Sequence, residues 1–201
     1  MKNLQTTLIN RNNNIQNKIY YLYKKNMFTR GSILYTLGRY GPFIMFIISL
    51  IILKAKAVTS ETYVLGFVMN TLINPIIKLI IKQRRPDKEK STTYLSATID
   101  KSKNPNDLKH PPSFVEQATD AHRYGMPSGH AQTAFFSLVY IWLAYQHTII
   151  TLLFLLLTII TCIQRIVARK HYLDQVIIGA IIGGLLAFFC FTTVSSVLKS
   201  L

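Results

Sequence analysis

Three short segments of this 201-residue chain carry cations and histidines at spacings that suit phosphate chemistry. In the first segment, Lys78 and Arg85 are seven positions apart, which predicts that they share one face of a helix, two turns from each other. A lysine offers a compact charge and an arginine a bidentate fork, a pair suited to phosphate oxygens. Lys82 and Arg84 are expected to be ordinary interfacial charges, whereas Lys78 lies about a turn inside an apolar stretch.

The second segment has the sequence Tyr-Gly-Met-Pro-Ser-Gly-His over residues 124–130. Ser128 is a predicted N-cap, with Gly129 and His130 opening a helix. The free N–H groups and positive dipole end of such a helix favour phosphate oxygens. His130 is placed to protonate a leaving oxygen, and the alternative is a capping turn with an incidental histidine.

The third segment contains Arg165 and, six positions later, His171. Arg165 can bind a phosphate oxygen, and His171 can act as a nucleophile if a partner holds its other ring nitrogen. A lone histidine is more often structural. Two histidines, each flanked by cations of the phosphate-binding type, favour a chemical role.

Five apolar stretches must position these segments: residues 33–53, 62–81, 131–145, 148–163 and 176–198. A membrane span needs about 20 residues, so the third is extended back to 128 and the fourth forward to 167. The prediction is an all-α, polytopic transmembrane bundle of five spans, or six if one helix escapes the hydropathy pattern. Gly179 and Gly183 in the last span predict a close helix–helix approach.

Helix counting brings the three segments together. The end of the second span, the start of the third, the end of the fourth and the start of the fifth must lie on one side of the membrane. The cations and histidines of all three segments are therefore expected at a single interface.

Composition agrees with a membrane protein that binds anions. Half of the residues are hydrophobic and 15% are charged, yet the net charge is +15. Soluble domains average about 25% charged residues, and disorder requires low hydrophobicity. Nucleic-acid binding is excluded because no basic, aromatic-rich soluble face is evident. The two cysteines lie in apolar runs and rule out a disulfide framework.

Two polar regions flank or interrupt the predicted membrane domain of residues 33–201. The arm, residues 1–32, has six basic and no acidic residues, which fits either a helix on an anionic membrane surface or a frayed polar tail. The loop, residues 87–125, has no net charge and three prolines. A polar loop of this length between spans is often functional.

The motifs Lys-x6-Arg-Pro, Pro-Ser-Gly-His and Arg-x5-His, between Lys78 and Gln175, resemble those of the type 2 phosphatidic acid phosphatase superfamily, which includes vanadium haloperoxidases. Tyr-Gly-Met-Pro-Ser-x-His-x-Gln and His-x3-Gln-Val resemble its dolichyl or polyprenyl diphosphatase branch. The resemblance implies hydrolysis of a lipid phosphate or diphosphate without metal or cofactor. His171 would form a phosphohistidine and His130 would protonate the leaving group. The implied phosphate-binding residues are Lys78, Arg85, Ser128, Gly129 and Arg165.

Two positions depart from the family pattern. Gln164 stands where the family often has serine, and Gln175 stands where it usually has the aspartate that orients the nucleophile. Asp174 is one position earlier, and both 174 and 175 face back toward His171 if a helix begins there. Gln175 is the predicted orienting residue, with Asp174 as the alternative.

Function and topology leave alternatives open. The leading hypothesis is a polyprenyl diphosphate phosphatase in the endoplasmic reticulum or plasma membrane. The alternatives are a phosphatase of phosphatidic acid or another lipid monoester, and an anionic-lipid transporter or inactive scaffold. Relatives usually have six spans and a lumenal or external site, whereas five spans and a basic arm predict a cytosolic one. The sequence does not determine the oligomeric state.

Overall fold

The computed structural model describes residues 32–83, 85–86 and 124–200. These residues form five helices: α1 (Ile33–Leu53), α2 (Ala57–Ile81), α3 (Gly129–Tyr145), α4 (Thr148–Val167) and α5 (Leu173–Ser200). The predicted all-α class is confirmed. The basic arm and nearly all of the polar loop lie outside the described residues, so the interfacial helix and the cytosolic orientation stay predictions.

Four of the helices are long and apolar enough to cross a membrane, namely α1, α2, α4 and the Leu173–Thr193 part of α5. Helix α3 has 17 residues, a length of about 25 Å. It is shorter than the apolar core of a bilayer, roughly 30 Å, so the predicted count of five spans is approximate. Helix α3 lies at the centre of the bundle and contacts each of the other four helices.

Helices α3 and α5 pack backbone against backbone, as the glycine spacing predicted. A Cβ atom on Gly179 would stand 2.6 Å from the carbonyl oxygen of Ser128, and one on Gly183 would overlap the carbonyl of Gln132. Because backbone atoms cannot move aside as side chains do, these glycines fix the distance between α5 and the first turn of α3.

Helix α1 packs on α4 through a second pair of glycines. A Cβ on Gly38 would overlap the buried side chain of Gln164, and a Cβ on Gly41 would overlap the Thr161 hydroxyl. Gln164 stands where the family that the motifs resemble often has serine. Its aliphatic part fills the space that Gly38 leaves at the α1–α4 contact.

The core away from the histidines is aromatic. The ring centroid of Tyr63 in α2 lies 5.8 Å from that of Phe136 and 5.2 Å from that of Tyr140, and both of these residues belong to α3. Each tyrosine hydroxyl is satisfied: that of Tyr63 pairs with Ser137 Oγ at 2.8 Å, and that of Tyr140 donates to the Thr59 carbonyl at 2.8 Å. This aromatic part of the bundle therefore packs α2 against α3 and stabilises the fold away from the end that carries the histidines.

Candidate active site

Lys78 and Arg85 do not share one helix, and that prediction is wrong. Helix α2 ends at Ile81, and Lys82 takes a left-handed conformation with φ of 54° that turns the chain away. A proline at 86 also disfavours helix at the residue before it. Lys78 is buried in the last turn, while Arg85 donates from Nε to the Tyr124 carbonyl at 3.0 Å. Lys82 is exposed, as expected of an interfacial charge, and position 84 lies outside the described residues.

Gly125 holds the second motif segment against the first. Its N–H donates to the Gln83 carbonyl at 2.7 Å, and the Ser128 N–H donates to the Gln175 carbonyl at 2.9 Å. Gly125 is buried, and a Cβ there would overlap the Gln175 amide. The segment before α3 is therefore fixed between the end of α2 and the start of α5.

His171 is held in one tautomer. Its Nδ1 lies 2.9 Å from the Gly125 carbonyl oxygen and 3.2 Å from Gln175 Oε1. The Tyr172 N–H donates to the same Oε1 at 3.2 Å, which fixes that atom as the amide oxygen. Two acceptors at Nδ1 require the proton there, so Nε2 carries the lone pair.

The surroundings of His171 keep its ring uncharged. The side chain is 2% exposed. Burial is the main cause that lowers the pKa of His171 from 6.5, and the positive charges of Arg165, Arg85 and Lys78 lower it further. Since a lowered pKa favours the deprotonated form, the ring is neutral at physiological pH, and Nε2 is its unprotonated nitrogen.

Asp174 and Gln175 are linked through Gln83, a residue that the sequence patterns did not single out. Gln83 Nε2 donates to Asp174 Oδ2 at 2.9 Å, and Gln175 Nε2 donates to Gln83 Oε1 at 3.1 Å. The Gln175 N–H also donates to Asp174 Oδ1 at 2.9 Å. Gln175 thus contacts His171 directly. Asp174 holds Gln175 in place, because its carboxylate accepts hydrogen bonds from the Gln175 backbone N–H and from the Gln83 side chain.

Ser128 is the N-cap residue of α3 but does not cap it with its hydroxyl. The residue is fully buried, and its Oγ has no hydrogen-bond partner among the described residues. His130 lies in the first turn and is subject to the same three positive charges as His171. Both histidines and an unsatisfied hydroxyl therefore share one cationic end of the bundle.

A buried amide network secures the first turn of α3 to α2. Gln132 Nε2 donates to the backbone and side-chain oxygens of Asn70, both at 2.9 Å. Asn74 Nδ2 donates to Gln132 Oε1 at 2.7 Å and to the Pro127 carbonyl at 3.3 Å. The two asparagines were missed as supporting residues. Their spacing of four inside an apolar span is the signal that could have revealed them.

A groove of about 340 Å³ opens beside His130 between α1, α2 and α3. Its lining includes Arg39, Tyr40 and Phe43 of α1 together with Thr71 and His130. The His130 ring also has a favourable interaction with the backbone carbonyl of Arg39. In the sequence, Arg39 was visible only as a charge that interrupts the first apolar stretch.

The fold and site together define a multi-pass membrane helix bundle with two histidines and a cluster of cations, among them Lys78, Arg85 and Arg165, at one end. The family model for the PAP2 superfamily matches residues 61–198, which is most of the chain. The protein belongs to the PAP2 superfamily, and this implies a phosphatase that acts on lipid phosphates. No curated protein and no solved structure matches the chain. Helix α1 precedes the matched region.

Replacing Gln175 with alanine is expected to lower kcat by about tenfold, the upper value for loss of one hydrogen bond. Nδ1 keeps the Gly125 carbonyl as its acceptor, so the loss is partial. Asp174→Ala is expected to cost less, because Asp174 bonds to Gln175 and Gln83 and acts on the ring through them. Initial rates over a range of substrate concentrations measure both effects.

The variant Gln175→Glu separates orientation from packing. A carboxylate beside Nδ1 would raise the pKa of His171, so the acid limb of the kcat profile should move to higher pH. Equal and small losses in Gln175→Ala and Asp174→Ala, with no change of profile in Gln175→Glu, would contradict the assignment of Gln175.

Proposed function

We propose that the protein hydrolyses a polyprenyl diphosphate of the dolichyl type to the monophosphate and inorganic phosphate. The observation that carries the proposal is the fixed tautomer of His171, whose unprotonated Nε2 lies in the field of Arg165, Arg85 and Lys78. A neutral imidazole among cations is suited to attack a phosphorus whose oxygens are anionic.

The first step transfers the terminal phosphoryl group to the enzyme. His171 Nε2 forms a bond to the terminal phosphorus, and the bond from that phosphorus to the bridging oxygen breaks. His130 gives its proton to the bridging oxygen, which leaves with the lipid monophosphate. The product on the enzyme is a phosphohistidine.

The second step returns the enzyme to its starting state. A water molecule gives its proton to His130 and attacks the phosphorus, and the bond from phosphorus to Nε2 breaks. Inorganic phosphate leaves, and His171 is again neutral. No metal is used in either step.

The transferred group would be held by cations and by the start of α3. Lys78, Arg85 and Arg165 neutralise its equatorial oxygens, which carry the charge in phosphoryl transfer. The buried Ser128 hydroxyl, which lacks a partner in the described part of the chain, would donate to one oxygen. The Gly129 N–H, at a helix N-terminus, would donate to another.

A panel of purified lipids tests the proposal in detergent micelles. Polyprenyl diphosphate should release one phosphate and leave the monophosphate, with no loss of rate in excess EDTA. A higher kcat/KM for phosphatidic acid would instead establish a lipid monoester phosphatase. Binding without hydrolysis of any lipid would favour a transporter or scaffold and would overturn the enzymatic proposal.

The compartment and orientation are part of the same proposal. Six cations without an acidic residue in the arm favour a cytosolic N-terminus. Because α1 and α2 form a hairpin, the catalytic end would then face the cytosol, in the endoplasmic reticulum or plasma membrane.

A further inference from the structure

We propose that Arg39 binds the lipid-proximal phosphate of a diphosphate substrate and so selects diphosphates over monophosphates. The inference rests on the proposed function, because it assigns the leaving-group side of the same site. It concerns α1, which lies outside the region that the family model matches.

Arg39 and His130 line the same groove, which has a volume of about 340 Å³. His130 protonates the leaving oxygen in the proposed reaction, so the leaving group must lie on the His130 side of the transferred phosphoryl group. The groove is the space next to His130 on the α1 side, and Arg39 is the lysine or arginine that lines it in the described part of the chain.

The three cations around His171 are distinct from the cation that lines the groove. Lys78, Arg85 and Arg165 all act on His171, and they would surround the terminal phosphate. Arg39 is instead exposed, and it lines the groove beside His130. A diphosphate brings a second anionic group, the lipid-proximal phosphate, on the leaving side. Because the three cations around His171 would bind the terminal phosphate, this second phosphate needs a cation of its own.

The α1 side of the groove combines a cation with apolar side chains. On the α1 side, Arg39 is followed in the lining by Tyr40, Pro42 and Phe43, and α2 and the start of α3 supply the more polar side, with Thr71, Asn74, Gly129, His130 and Thr133. Tyr40 and Phe43 are exposed on the lipid-facing surface of the bundle. An arginine followed by apolar side chains fits a phosphate joined to a hydrocarbon chain.

A role in catalysis follows from the chemistry of the leaving group. When the terminal phosphorus–oxygen bond breaks, negative charge grows on the bridging oxygen and spreads over the proximal phosphate. A guanidinium there stabilises the transition state more than the ground state. With a monophosphate substrate the leaving group is an uncharged alcohol, and Arg39 has no anion to stabilise.

The test compares Arg39→Ala with Arg39→Lys on a lipid diphosphate and on the monophosphate of the same lipid. Arg39→Ala should lower kcat/KM for the diphosphate by tenfold or more and change that for the monophosphate by less than about twofold, in line with loss of one charge-assisted contact. Arg39→Lys should recover part of the loss. Lys54→Ala, an exposed cation at the other end of α1, is the matched control and should behave as wild type.

Inhibition by orthovanadate shows that the terminal phosphate site of the variant is intact. Its inhibition constant should be the same in Arg39→Ala and wild type. Equal losses on both lipids, or no loss on the diphosphate, would overturn the assignment of Arg39. A wild-type enzyme that cleaves only monophosphates would overturn it while leaving a phosphatase, and one that cleaves neither lipid would overturn the proposed function itself.

Discussion

Replacing His171 with alanine is expected to abolish phosphate release, with kcat reduced by about 10⁴-fold or more, as for loss of a covalent nucleophile. The reason is the position of its lone pair: Nδ1 donates to the Gly125 carbonyl, so Nε2 would be the attacking atom in the proposed reaction. His171→Asn should be equally inactive, although its side-chain amide can still donate to that carbonyl. Phosphate release from the purified variants measures the effect.

His147→Ala is the matched control. His147 is exposed at the N-cap of α4, at the opposite end of the bundle from the site. The variant loses one imidazole, as His171→Ala does, and should keep wild-type activity. Comparable losses in both variants would mean that histidine removal harms the fold rather than the chemistry.

A trapping experiment isolates the covalent step. Substrate labelled in its terminal phosphate should leave label on the wild-type protein and on His147→Ala after a rapid alkaline quench, because a phosphohistidine is stable to base and labile to acid. His171→Ala and His171→Asn should carry none. Label that persists in either variant would identify a different nucleophile.

The sequence predicted the helices better than the connections between them. Helix α1 has the predicted bounds, 33–53, because an apolar run in which Arg39 is the one charge leaves little choice of where a span begins and ends. The convergence of the motif segments followed from counting spans. Arg85 was predicted wrongly because a spacing of seven indicates a shared face only while the helix continues, and α2 ends at Ile81.

Residues that act through their backbone could not be predicted from residue type. The nearer of the two acceptors at His171 Nδ1 is the carbonyl of Gly125, and every residue in a protein has a carbonyl. Gln83 likewise joins the site only because the chain turns at Lys82 and brings it beside Asp174. Such contacts depend on the path of the chain, which local patterns do not encode.

Gly183→Ala is expected to lower both stability and activity strongly, although alanine is the better helix former by about 1 kcal/mol. The added methyl would overlap the Gln132 carbonyl, with the Gln132 carbonyl carbon at 2.8 Å and its Cα at 3.0 Å. Relief requires α3 to move away from α5. Overpacking of this kind costs typically 1–3 kcal/mol.

The loss of activity follows from what α3 carries. Moving Gln132 breaks the bonds of its side chain to Asn70 and Asn74, leaving buried amides unsatisfied at about 1–3 kcal/mol each. The same movement carries Ser128 and His130 away from His171. We therefore expect kcat to fall by more than tenfold and the thermal midpoint in detergent to fall by several degrees.

Gly184→Ala is the control that makes this result interpretable. It adds the same methyl to the next residue of the same helix, where the nearest atom is Val139 Cγ2 at 3.7 Å, an ordinary contact. Its stability should equal or slightly exceed that of wild type because of the higher helix propensity of alanine, and its activity should be unchanged. If Gly183→Ala matched Gly184→Ala in both measurements, α3 and α5 would not be in backbone contact, and the distance between His130 and His171 would have to be set by other contacts.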